Sequence, residues 1–139
     1  MQLRSAALVS LLCTAFLPGC DKVEQCNTLI DTVESRTAEM TAATNALAAA
    51  RSKPEVIADY EKAFQTTIDA VAALKLSDEK LADFGKRYAS VLGEAKALGP
   101  KRAAASTREE VDAVKAEEAK VLESEEALVK EINTYCSAG

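Results

Sequence analysis

From residue 22 to residue 136, apolar side chains return every three or four positions, and nowhere does a two-residue alternation persist. That spacing is the signature of helices with one buried stripe, and the scarcity of glycine and proline with abundant alanine favours the same structure. Val23, Cys26, Ile30, Val33, Thr37, Met40, Thr44 and Leu47 form one stripe and predict a first helix over about 22–51. Ser52, Pro54 and Glu55 then read as a stop and a restart, because Ser with Glu three later is a capping box and Pro fits a first turn. A second helix over about 54–75 carries Ile57, Tyr60, Phe64, Thr67, Val71 and Leu74. Ser77 and Asp78 offer the cap of a third, about 78–98, with Leu81, Phe84, Tyr88, Val91, Ala95 and Leu98 on its stripe and Gly99–Pro100 ending it. Thr107 and Glu110 make a further capping box. It opens a fourth helix over about 107–136, with Val111, Val114, Val121, Leu128, Ile132 and Tyr135 inward.

These elements predict an all-α fold, an antiparallel up-down-up-down four-helix bundle whose first and last helices are long. At 1.5 Å per residue the outer two span about 45 Å and the inner two about 32 Å. If the distal loops are level, helices one and four overhang at the other end as a two-helix stem. The alternative is a continuous rod over 54–98, since the segment LKLSDEKL contains neither Gly nor Pro.

The pattern changes character before residue 20. Arg4 leads an apolar run from Ser5 to Leu17, which Pro18 and Gly19 interrupt. A helix of that length covers about 20 Å, short of a bilayer core of about 30 Å, and so reads as an export signal rather than a span. Leu17, Pro18, Gly19 and Cys20 resemble the lipobox of bacterial prolipoproteins. That resemblance implies cleavage after Gly19, so that residues 1–19 are a signal peptide and 20–139 a single domain. It also implies lipidation of Cys20 through its sulfur, commonly with a further acyl chain on its new amine. Two or three acyl chains give lasting attachment, at about 0.8 kcal/mol per buried methylene. The implied location is the bacterial cell envelope, with the domain anchored by lipid and facing the periplasm. Asp21 resembles the inner-membrane retention signal of enteric lipoproteins, a rule that does not extend to every lineage, and the leaflet is left open.

The chain has 4 cysteines. On this reading Cys13 leaves with the signal and Cys20 carries lipid, which leaves Cys26 and Cys136 as an even pair in an oxidising compartment, where a disulfide is favoured over two separate buried thiols. The pairing and the helix number depend on each other. An even number of antiparallel helices brings the two cysteines to one end; an odd number parts them by tens of ångströms, far beyond the roughly 6 Å between α-carbons that a disulfide spans.

With 0 histidines and no CxxC or CxxCH, no zinc or haem spacing exists and no cofactor or metal is expected. A Ser/His/Asp set is excluded for the same reason, and neither a Gly-rich phosphate loop nor a Glu-x-x-His pattern is present. The expectation is a protein that is not an enzyme.

Charge adds a partner question. The net formal charge is −5, and its distribution is uneven: residues 75–108 hold eight basic and four acidic groups, and residues 109–139 three and nine. Salt-bridged antiparallel neighbours account for this, and oppositely charged docking faces are the alternative. Lys96, Lys101, Arg102 and Arg108, around the loop GPKRAAAS, are the candidate partner-binding group, with a solvated linker as the plainer reading. Nucleic acid is not expected as a partner of an acidic exported chain with 3 phenylalanines and 3 tyrosines. Glu118 and Glu125 interrupt the fourth stripe, which marks a polar layer, a wet gap or, the preferred reading, a stretch of that helix open to solvent. Small residues recur at Ala38, Ala42, Ala46 and Ala50 and at Gly85, Ala89, Gly93 and Ala97. Gly85 and Gly93 are the informative positions, because glycine within a helix costs about 1 kcal/mol against alanine.

The expected function is that of a lipid-anchored, non-enzymatic helical binding or spacer module with an envelope protein partner. The alternative is a helical bundle that binds a small ligand or lipid in the periplasm.

Overall fold

The computed structural model describes residues 20–50 and 52–138. Four helices follow one another: α1 (Cys20–Ala50), α2 (Pro54–Ala72), α3 (Glu79–Ala104) and α4 (Arg108–Ser137). The fold is an all-α four-helix bundle, and the residues at the predicted stripe positions are the ones that build its core. Phe64, Phe84, Met40, Leu47, Leu81 and Leu128 are buried there. Two further core residues, Leu29 and Leu92, lie beside the predicted stripes, because a helix packed on two neighbours needs a wider apolar arc than a single seam. Every fully buried side-chain polar atom among the described residues has a hydrogen-bond partner.

The helix starts follow local chemistry. Asp78 accepts from the Leu81 N–H at 2.9 Å. Thr107 and Glu110 form the reciprocal capping box expected of them. The box read at Ser52 and Glu55 does not form: Lys53 is the cap residue of α2, makes no side-chain cap bond, and leaves Pro54 to set the first turn.

Two sequence expectations need correction, and the expected break between the second and third helices is present. First, α3 does not stop at Gly99–Pro100 but runs on to Ala104. Proline fits helical φ and removes one backbone hydrogen bond. That loss is offset here because the last turn carries Lys101 and Arg102 to carboxylates of α4, Glu117 at 2.6 Å and Glu118 at 3.1 Å. At that break, α2 ends at Ala72 although nothing in LKLSDEKL forces a stop. The stop is imposed from α1. The Gln25 amide oxygen accepts from the N–H groups of Ser77 and Asp78 at 2.7 and 3.0 Å, and its nitrogen donates to the Ser77 hydroxyl at 2.9 Å.

Second, no two-helix stem projects from the bundle. Residues 73–78 leave the helix and reach further per residue than the 1.5 Å of a helical rise, which brings the α2–α3 connection level with Gln25 and Tyr135. Tyr135 donates to the Asp78 carboxylate at 2.8 Å and packs edge-on against Phe84, so all four strands of chain meet in the basal layer.

The neighbours α1–α2, α2–α3 and α3–α4 pack along their lengths. The fourth side is different: α1 and α4 approach closely at very few positions.

Candidate functional site: the open seam between the first and last helices

The seam is closed at its base. Cys26 and Cys136 are brought to disulfide distance, with α-carbons 5.9 Å apart, and Cys26 is only 2% exposed. Lys22 adds a second clasp, its ammonium 4.1 Å from the centre of the Tyr135 ring and 3.4 Å from the Ala138 carbonyl oxygen. One turn above the cysteines the helices part. Leu29, Ile30 and Val33 of α1 face Val129 and Ile132 of α4, with Tyr88 of α3 as the floor, around a shallow, water-sized apolar dimple in which Leu29, Ile30, Tyr88 and Ile132 are buried.

Higher in the seam, α4 places two carboxylates where its apolar stripe is interrupted. The Glu125 carboxylate accepts from the Tyr88 hydroxyl at 2.9 Å, and Glu118 accepts from Arg102 at 3.1 Å. The Glu118 side chain is 14% exposed and the Arg102 side chain 28%. These residues form polar layers against α3, which replaces the expectation that this stretch of α4 turns to solvent. Burial raises the pKa of the Glu125 carboxyl above the ordinary value, and the Tyr88 bond opposes that shift in part. Burial also raises the Tyr88 hydroxyl, with the Glu125 charge acting in the same direction. The Tyr88 phenol is therefore neutral and is the donor of the pair.

The candidate basic group is drawn into the bundle. Lys101 and Arg102 sit in the last turn of α3 rather than in a loop, each on a carboxylate of α4. Arg87 adds a two-pronged pair with Glu131, both bonds at 2.8 Å, lower on the same two helices. Lys96 donates to Gln65 of α2 at 2.7 Å, and Arg108 lies 3.8 Å from Asp112 one turn along α4. The basic third helix and the acidic fourth are thus joined by ion pairs along their length.

Cys20, the position of the proposed acylation, is the first residue of α1. Residues 1–19, read from the sequence as a signal segment and including Cys13 and Leu17–Gly19, lie outside the described residues. Among the described residues no helix is long and apolar enough to cross a membrane.

Sequence reasoning missed the open seam itself. A stripe tells which face of a helix is apolar but not which neighbour fails to cover it. The signal that could have found it is charge: α1 carries five carboxylates against two cations and α4 nine against four, so the two walls of the seam repel. No family model, curated protein or solved structure matches the chain.

Proposed function

We propose that this chain is a lipid-anchored protein of the bacterial envelope that works without catalysis, as a short rigid module that stands on the membrane and binds another envelope protein. The observation that carries the reading is the continuity of α1 from Cys20 through Cys26. The buried cysteine lies six positions beyond the acylation position, about 9 Å of helix, with no glycine or proline among the five residues between them. A lipid at Cys20 therefore has no flexible tether. It sets the basal layer on the headgroups and holds the turns at 52–53 and 105–107 some 45 Å out.

Intact mass measurement on protein extracted from its native membrane tests the anchor. The expected mass lacks residues 1–19 and carries acyl groups on Cys20, and Cys20→Ala accumulates as the uncleaved precursor. A mass that retains those residues, or shows cleavage elsewhere, overturns it. The second reading, a carrier of a small apolar ligand, requires the shallow α1–α4 dimple to widen on binding. Crosslinking in membranes followed by purification separates the two: a binding module brings down one defined protein, and a carrier brings a small molecule.

A further inference from the structure

We infer that the Cys26–Cys136 link is made and broken at the Cys136 sulfur, which is the site where a thiol–disulfide exchange partner acts, with Cys26 as the sulfur that resolves the mixed disulfide. The inference goes beyond the proposed function and needs neither the acyl anchor nor the captured partner. Its first element is access. Cys26 is 2% exposed, belongs to the hydrophobic core and lies in the interior of a continuous helix. Gln25, its neighbour in the chain, is tied to the α2–α3 connection through Ser77 and Asp78. Uncovering Cys26 therefore means taking the base of the bundle apart. Cys136 is only half-buried and stands one residue before the end of α4, where a helix frays at little cost. Besides the link, that turn is held by Tyr135 on Asp78 and by Lys22 on the Tyr135 ring and the Ala138 carbonyl, contacts outside the buried core.

The second element is topology. α1 packs along α2, α2 along α3 and α3 along α4, so the core that places Cys26 beside Cys136, α-carbons 5.9 Å apart, is assembled on three sides without help from the sulfurs. The oxidant has the chemistry of a protein or peptide disulfide. The Cys136 thiolate attacks one of its sulfurs, which forms a mixed disulfide and releases the other sulfur as a thiolate. The Cys26 thiolate then attacks the Cys136 sulfur, the bond to the carrier breaks, and the carrier leaves as a dithiol. Two electrons pass from the cysteine pair to the carrier, and the two thiol protons go with them. Opening is the reverse, with a dithiol attacking Cys136 and Cys26 departing first. Because α1 and α4 have little else between them, the same sulfur controls the weakest side of the bundle.

The test uses the full chain in mild detergent, with Cys13→Ser and Cys20→Ser so that two cysteines alone report, and glutathione as the probe. Cys26→Ala and Cys136→Ala are added singly, and helical circular dichroism checks that each variant folds. With glutathione disulfide at mildly alkaline pH, Cys136 of the first variant should be glutathionylated at least about tenfold faster than Cys26 of the second. In urea the two rates should converge. A second measurement needs neither alanine variant: the linked chain meets reduced glutathione, is quenched in acid and is mapped by mass. Glutathione should be found on Cys136, with Cys26 as the free thiol. Equal rates in the folded variants overturn the inference, and so does glutathione mapped to Cys26. A link that opens or closes only in urea would place the exchange in the unfolded chain, which overturns it equally. All of these outcomes leave the acylation mass and the captured partner unaffected, so this inference and the proposed function fail separately.

Discussion

The ring of Tyr60 lies directly on the α-carbon of Gly99, and its hydroxyl donates to the carbonyl oxygen of Ala95 at 2.7 Å, one turn back along α3. A β-carbon at position 99 would overlap the ring. The contact stands next to Pro100, which supplies no N–H to the Lys96 carbonyl one turn before it. The tyrosine therefore brings a donor and a flat apolar face to the stretch of α3 where the helix is least able to hold itself. Glycine is present here for close approach rather than to end a helix.

Gly99→Ala should accordingly destabilise the bundle by about 1–3 kcal/mol, because Tyr60 is buried and its ring has no room to yield. Gly93→Ala, on the same helix, should stabilise it by about 0.5–1 kcal/mol, since a β-carbon there meets nothing within 4 Å and gains helix propensity. Urea midpoints of the two variants measured side by side decide the matter. Equal shifts of one sign would show that propensity alone governs both positions.

The ion pairs between α3 and α4 should differ in strength although they sit on consecutive residues. Lys101 and Glu117 are about half exposed, and a double-mutant cycle on them should return about 0.2–1 kcal/mol that fades in salt. Arg102 and Glu118 are more enclosed, and their hydrogen bond between charged groups should return about 1.5–3 kcal/mol with less sensitivity to salt. A reversed order would mean that side-chain entropy, not burial, sets these couplings.

What the sequence makes legible follows from which interactions are local. The stripes, the Asp78 cap and the Thr107–Glu110 box are decided within a few residues and are read correctly. So is the meeting of Cys26 with Cys136, because an even number of antiparallel helices leaves those positions nowhere else to go. The end of α2 is different. It is set by Gln25, more than fifty residues away, and no window over LKLSDEKL contains that information. Gly99–Pro100 misleads for a related reason, as the pair is a strong stop in isolation and Tyr60 with the α4 carboxylates outweighs it. The absent stem belongs with these, since the length of a non-helical connection cannot be judged until its ends are known. In the seam, the predicted interruptions at Glu118 and Glu125 are where polar side chains enter, but only the fold shows that Arg102 and Tyr88 meet them.

Loss of the Cys26–Cys136 link should be expensive because α1 and α4 have little else between them. With a sequence separation of 110, the chain-entropy model gives about 4–5 kcal/mol. Cys26→Ala with Cys136→Ala, or a strong reductant, should lower the urea midpoint accordingly and raise amide exchange first in the last turns of α4. Uniform exchange through all four helices would instead mean that the link holds the whole bundle rather than the seam.

The last prediction concerns Glu125 and follows from the sign of its shift. Burial raises its pKa above 4.5, so between that value and its higher folded value the native state holds a proton that the unfolded chain has lost. The stability contributed by the neutral carboxyl is present below pH 4.5 and is lost as pH rises through the folded value. Asp78 acts in the opposite sense. The Leu81 N–H and the Tyr135 hydroxyl hold its pKa below 3.8, so its contribution is present above that pH and lost as pH falls through the folded value. Stability should therefore rise as pH is lowered from neutrality toward 4.5 and then fall again below 3.8. Glu125→Gln should remove the upper slope and stabilise the protein at pH 7 while the lower slope persists. Tyr88→Phe should do the reverse at pH 7, costing about 1–3 kcal/mol as the carboxylate loses its donor. Urea midpoints of the two variants and the parent from pH 3 to pH 8 measure both slopes; an unchanged upper slope in Glu125→Gln would assign it to another group.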